Sequence, residues 1–300
     1  MLKGGISMKR VAAILVYLIL FTITLCAQEA GNRSYGGQKR KPLVNTGVLT
    51  GNAEDKTRVY YVEANVLMNV KADAYVAVFG VVQEGPTSAE SNSKLDTEIS
   101  GFIKDLDGLG IKKCDVFVDF INLNKIYDYT ANGSTVTEKF SGFETKKNVA
   151  VRYRDREMLE RILAAATKAS IFDLIEVKYV VTDLNAVHSR LYDEAVKVIK
   201  QKETSYGNSF GTRLAATNLA NEKYDAFYPA ELYANYQAYE SGNTYGDYNN
   251  RVIQQRKTRT FYYDPLDESS FDSVINQIGI EPMVQFTLYL KMQYELGVKK

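Results

Sequence analysis

The stretch from Asn148 to Lys202, NVAVRYRDREMLERILAAATKASIFDLIEVKYVVTDLNAVHSRLYDEAVKVIKQK, constrains the fold more than any other. It reads as strand, helix, strand and helix with almost nothing between them. Val149, Val151 and Tyr153 alternate with Ala150, Arg152 and Arg154, the period of two of a half-buried strand. Asp155 stands where a helix N-cap belongs, with Glu157 in the electropositive first turn. Met158, Leu159, Ile162, Leu163 and Ala166 then recur at helical spacing and form one apolar face. Ile175, Val177, Tyr179 and Val181 give a second alternating strand. Asp183 or Asn185 caps a last helix whose inner face is Val187, Leu191, Ala195, Val198 and Ile199.

Upstream the same two periods repeat. Val59–Val70 alternates as a strand, Lys71-Ala72-Asp73 turns the chain, and AYVAVFGVV (Ala74 to Val82) is apolar on both faces, as a central strand is. Thr87-Ser-Ala-Glu90 matches a capping box before a helix with the inner stripe Leu95, Ile99, Phe102, Ile103 and Leu106, ended by Gly108 or Gly110. Cys114 is expected at the start of the next strand as a small buried apolar group, followed by alternation at Val116, Val118 and Phe120. Tyr127 to Gly142 reads as a long polar hairpin loop. The order from Ala74 to Val181 is therefore β-α-β-β-α-β, which predicts an α+β fold with a ferredoxin-like core and helices on an antiparallel or mixed sheet. The Val59 strand reads as a hairpin partner of the Ala74 strand, so either the sheet is extended by bending or its strand order is not the standard one, and the strictly alternating Val284 to Tyr294 is expected to dock on that sheet at an edge.

At the N-terminus, Lys3, Lys9 and Arg10 precede the apolar run Val11 to Leu25, and Ala27 offers a small residue at the exit. This is the layout of a secretory signal peptide over residues 1–27, a retained anchor being the alternative. Residues 28–57 lack periodicity and read as a mobile mature N-terminus before one domain over 58–300. The formal charge is +1, and losing the three basic residues of the leader leaves +1 − 3 = −2, so nothing marks a nucleic-acid partner. Cys114 becomes the sole mature cysteine, which excludes an internal disulfide and a thiolate cluster.

Five features carry a hint of chemistry. Gly207-Asn-Ser209-Phe-Gly211 fits the pattern of a nucleophile elbow, but it follows a helix and the only histidine, His188, precedes it; a Gly-rich helix exit is the simpler reading. Asp264-Pro-Leu-Asp267 resembles part of a metal-dependent phosphatase signature without its glycine or a Glu pair, so a turn at Pro265 is expected. His188 has no second imidazole or thiol nearby and reads as a partly exposed structural residue. The segment at about 212–281 is rich in Tyr and reads either as a glycan-binding or oligomer surface, or as a loop-and-helix layer over the sheet. The basic run Arg251 to Arg259 reads as a solvated face.

The chain resembles the SIMPL-domain family of bacterial envelope proteins. The residues that carry the resemblance are Asp73 with AVFGVV, Gly110-Ile111, Tyr127-Asp128-Tyr129, Gly142-Phe143, VAVRYRD (Val149 to Asp155), EAVKVIKQK (Glu194 to Lys202) and the terminal alternating strand. It implies a secreted or periplasmic, non-enzymatic protein that forms homo-oligomers, in a family with some members linked to oxidative-stress defence. The sequence thus leads to an envelope protein acting by assembly or binding, with no catalytic, cofactor or metal residues assigned. The alternatives are a hydrolase using Ser209 or Asp264/Asp267, and a glycan-binding module using the Tyr-rich segment.

Overall fold

The computed structural model describes residues 59–133, 135–211, 213–236, 239–240, 255–256, 260–277 and 279–297; the expectations for residues 1–57 and for most of Arg251 to Arg259 fall outside them. By proximity along the folded chain, Pro42–Ala230 and Leu266–Lys300 form one unit, and Glu231–Pro265 belongs to another.

The larger unit holds two sheets. In the first, β2 (Ala74–Gly85), β3 (Val116–Asn132), β4 (Thr135–Tyr153) and β5 (Asp173–Val180) lie in the order β3-β4-β2-β5, all antiparallel. Helices α1 (Ser88–Gly108) and α2 (Met158–Lys168) connect β2 to β3 and β4 to β5, so each links two strands that have a third between them. The apolar residues of one sheet face, Ala77, Phe79, Val149 and Val151, close on Leu95, Ile99, Phe102 and Leu106 of α1 and on Ile162 and Ala166 of α2. Phe79 and Phe102 meet edge to face with their centroids 5.4 Å apart.

Local chemistry explains where these helices begin and end. Thr87 Oγ1 accepts from the Glu90 amide, capping α1 as its sequence predicts. At its other end Gly110, at φ 84°, lets the Ile111 and Gly110 amides donate to Leu106 and Asp107 carbonyls, satisfying groups that a helix end leaves open. α2 closes identically through Ile171 and Ser170, although Ser170 must adopt φ 65° with a side chain. Asp155 sits two residues before the N-cap position of α2: its Oδ1 accepts from Glu157 in a preceding turn, and the helix starts at Met158.

The second sheet corrects the expected extension. β1 (Val59–Val70) does not pair with β2. It pairs along its whole length, antiparallel, with β12 (Val284–Gly297), in a sheet of order β11-β1-β12-β6, where β6 is Arg213–Phe227 and β11 is Ser273–Ile275. β12 is therefore internal, not an edge. The reason is capacity: β2 has β4 and β5 on its two sides and no open ladder for β1. One long helix, α3 (Leu184–Phe210), covers this sheet with Val187, Leu191, Ala195, Val198 and Ile199 against Val62, Ala64, Val66, Phe286, Leu288 and Leu290. Asp183 caps it by accepting from the Ala186 amide, and Gly211 ends it at φ 63°.

β6 also corrects the reading of its region as a loop-and-helix layer. Its pairing with β12 slips between Lys291 and Met292 and again between Gln293 and Tyr294. Those bulges break the period of two that would have revealed a strand. β11 is fastened to β1 by Asp272, which accepts from the Asn65 amide, donates its own amide to the Asn65 carbonyl, and pairs with Lys202 of α3. Within the smaller unit, β7 (Tyr233–Tyr236) pairs with β10 (Thr260–Tyr263), and β8 (Tyr239–Glu240) with β9 (Gln255–Arg256).

Candidate functional site

The residues singled out for chemistry do not converge. Ser209 lies inside the last turn of α3, not on a strand-to-helix turn, and is exposed. His188 is 21 positions earlier on the same helix, about 30 Å away at 1.5 Å per residue, so it cannot serve as its base. His188 instead meets Glu222 through Nε2 at 3.2 Å and the Tyr224 ring at 5.2 Å. Asp267 Oδ1 accepts from the amide and hydroxyl of Ser269, capping the 3-10 turn Glu268–Ser270. Asp264 donates its amide to the Leu232 carbonyl. Among the described residues no three His, Cys, Asp or Glu side chains are grouped to hold a metal ion. Cys114 is exposed, not buried: it sits on the 3-10 turn Lys113–Asp115, closed by the Asp115 amide on the Lys112 carbonyl, before β3 begins.

One polar patch lies on the face of the second sheet away from α3. Lys291 Nζ is 2.9 Å from Glu63 Oε1 and 4.5 Å above the Tyr61 ring, and its hydrogen bond to Glu63 raises its pKa. Glu63 Oε2 and Asn65 Nδ2 are buried without a hydrogen-bond partner. Two residues apart on one strand, they share a face.

The largest anomaly is the β3–β4 ribbon. β2 pairs with β4 only from Tyr153 back to Phe143, yet β3 and β4 continue together to Asn132 and Thr135, where Gly133 turns at φ 63°. The stretch expected as a polar loop is thus a two-stranded arm. It is held by Tyr127 against Phe140 (5.9 Å) and Phe140 against Phe143 (5.4 Å), and by Tyr129 donating to Glu138 at 2.8 Å. That bond to Glu138 also raises the Tyr129 pKa. The sequence signal was present in Ala131-Asn132-Gly133-Ser134 between alternating Tyr and Val, Phe residues.

The ribbon exposes large apolar side chains all along β3: Phe117 (66%), Phe120 (57%), Ile121, Leu123, Tyr127 and Tyr129 (68%), with Val136 and Phe140 on β4. A two-stranded ribbon in water buries little of its own surface, so this composition calls for a covering partner. The geometry offers apolar area and a strand edge, which is a docking chemistry.

A family model described as SIMPL, protein of unknown function (DUF541), matches residues 61–254. The chain belongs to the SIMPL family. The match opens inside β1 and takes in the ribbon, α1, α2, α3 and β6, so it extends past Gly211 into the Tyr-rich segment. β12 lies beyond it, although β12 completes the sheet in which the SIMPL match begins. No curated protein matches the chain. No helix among the described residues is long and apolar enough to cross a membrane.

Proposed function

We propose that this SIMPL protein is exported to the periplasm and works there without catalysis, through homo-oligomeric assembly in the cell envelope. The observation that carries this reading is the ribbon, whose exposed aromatic and branched side chains are costly in a solitary chain at about 25 cal/mol per Å² of apolar area. The leader-like residues 1–27 support export. Light scattering on protein purified from the envelope fraction tests the reading: it is expected to give a mass of several chains. N-terminal sequencing of the same sample is expected to begin near Gln28. A single-chain mass at all accessible concentrations would refute assembly, and an intact Met1 or Met8 would replace the soluble periplasmic reading by an anchored one.

A further inference from the structure

The register of β3 on β4 fixes which side chains of the ribbon share a face, on either side of its two slips. Lys125 stands opposite Phe143, Tyr127 opposite Phe140 and Tyr129 opposite Glu138. The ring contacts from Tyr127 through Phe140 to Phe143, and the bond from Tyr129 to Glu138, run along that one face. Leu123, opposite Thr145, continues it to the helix side of the sheet, where Thr145 bonds Ser91 of α1 at 2.7 Å. The other face, from Asn124 to the turn, carries Asp128, Thr130, Thr137 and Lys139, with Ile126 as its one large apolar side chain. The ribbon is therefore amphipathic. Its aromatic face prolongs the helix side of the sheet beyond the point where β2 ends and α1 begins.

We infer that this aromatic face packs on the same face of a second copy of the chain, about a two-fold axis that runs between the two faces at the Tyr127–Phe140 pair. This rests on the assembly reading above and gives it a surface. Two charges lie among the apolar side chains of the face, Lys125 and Glu138, both exposed. Lys125 is two residues from Tyr127 on the side of the sheet, and Glu138 is two residues from Phe140 on the side of the turn. They stand at opposite corners around the Tyr127–Phe140 row. An axis through that row, set at a slant to the strands, carries Lys125 of each copy onto Glu138 of the other, twice by symmetry, and brings the aromatic pair onto its own counterpart. The patch is thus self-complementary, as a closed two-fold interface requires. A bilayer would offer neither charge a partner, whereas a second copy offers one to both. The area agrees. Phe120, Leu123, Tyr127, Tyr129, Val136 and Phe140 are between 43% and 68% exposed. At about 200 Å² for a large side chain, that leaves roughly 600 Å² to cover, close to the roughly 800 Å² that a standard interface takes from each partner.

The test follows the full chain and its variants by sedimentation over a concentration series, with circular dichroism as the check on folding. Lys125→Glu and Glu138→Lys are each expected to weaken self-association at least about tenfold, or roughly 1.4 kcal/mol, and the double exchange to restore it. Tyr127→Lys, at the axis, is expected to weaken it at least as much; if that variant disturbs the spectrum, the charge series decides alone, since Lys125 and Glu138 are exposed. Lys139→Glu, next to Glu138 but on the polar face, is expected to change nothing. A double exchange no better than the single ones, equal weakening by Lys139→Glu, or association untouched by every variant would overturn the aromatic face while leaving assembly standing. A wild type that never associates would remove assembly itself, and this inference with it.

Discussion

Among the described residues, Gly142 and Gly85 are the two positions where a missing side chain lets backbone meet backbone. A Cβ on Gly142 would come within 2.6 Å of the Gly85 carbonyl oxygen, and one on Gly85 within 2.7 Å of the Ser91 amide at the start of α1. The two glycines therefore set how closely the ribbon, β2 and α1 approach. Gly142→Ala is expected to cost about 1–3 kcal/mol by overpacking, read as a lower urea midpoint; an unchanged midpoint would mean that the strands separate freely there. Asp73 fixes another close approach, through its side chain. Its carboxylate accepts from both the Thr182 hydroxyl and amide at 2.7 Å, and its own amide donates to the Val180 carbonyl. The Thr182 hydroxyl, then the Thr182 amide, hold the Asp73 pKa below the ordinary carboxylate value. A folded-state pKa below the unfolded one contributes stability above the unfolded value, near 3.9, and that contribution fades as pH falls through the folded value. The stability gap between wild type and Asp73→Asn should be constant above about pH 5 and narrow below it. A gap independent of pH down to 3 would show that the ionised carboxylate is not what matters.

Among the elements, β12 carries the most structure for its length. It holds β1 on one side and β6 on the other, and its Phe286, Leu288 and Leu290 fill the layer under α3. Removing the chain from Pro282 onward strips both neighbours of their ladder, so the product should be insoluble, or compact with bound dye and no near-UV signal. A soluble truncated chain with a native near-UV spectrum would contradict that role. The alternation of Val284 to Tyr294 revealed the apolar face under α3 but neither the neighbours nor the burial of Gln285, Thr287 and Tyr289 on the other face, because periodicity encodes a face and not a partner more than 200 residues away. Helices were legible for a related reason: capping and apolar stripe are local, and of the expected stripe Leu95, Ile99, Phe102 and Leu106 are buried while Ile103 is half-buried against the same core. Of the ribbon only the Asn132-Gly133 turn was legible; its strands were not, because register shifts beside Ile121 and between Ile126 and Tyr127 break the period of two, and Thr, Asn and Lys dilute what remains. Cys114 was misplaced for lack of any local mark of a 3-10 turn. Of the candidate surface, β3 to Phe120 could be read as a strand, but its edge position depends on strand order.

In the larger unit, the layer formed by β2 to β5 with α1 and α2 comes from one continuous run, Ala74–Val180, whereas the layer under α3 joins β1 to strands after residue 211. The chain passes between them twice, at Lys71-Ala72-Asp73 and at Val181-Thr182-Asp183, and the Asp73–Thr182 bonds tie those crossings together. Tyr179 packs against both cores. When the continuous layer is folded, it therefore acts as a pinned loop of a few residues between β1 and α3. When it is unfolded, that loop grows to roughly a hundred residues and closing it costs about 3 kcal/mol more. Phe102→Ala, in the continuous layer, should lower amide protection in both sheets, because it weakens its own core by about 3–5 kcal/mol and lengthens the loop that β1 and β12 must close. Leu288→Ala, in the other layer, should lower protection in β1 and β12 while the β2 and β4 amides keep theirs, since every strand of their sheet and both helices lie within the continuous run. Hydrogen exchange followed by mass spectrometry separates the outcomes. Equal losses in both sheets for both variants would mean that the two layers unfold as one body and that the nested arrangement of the chain has no energetic consequence.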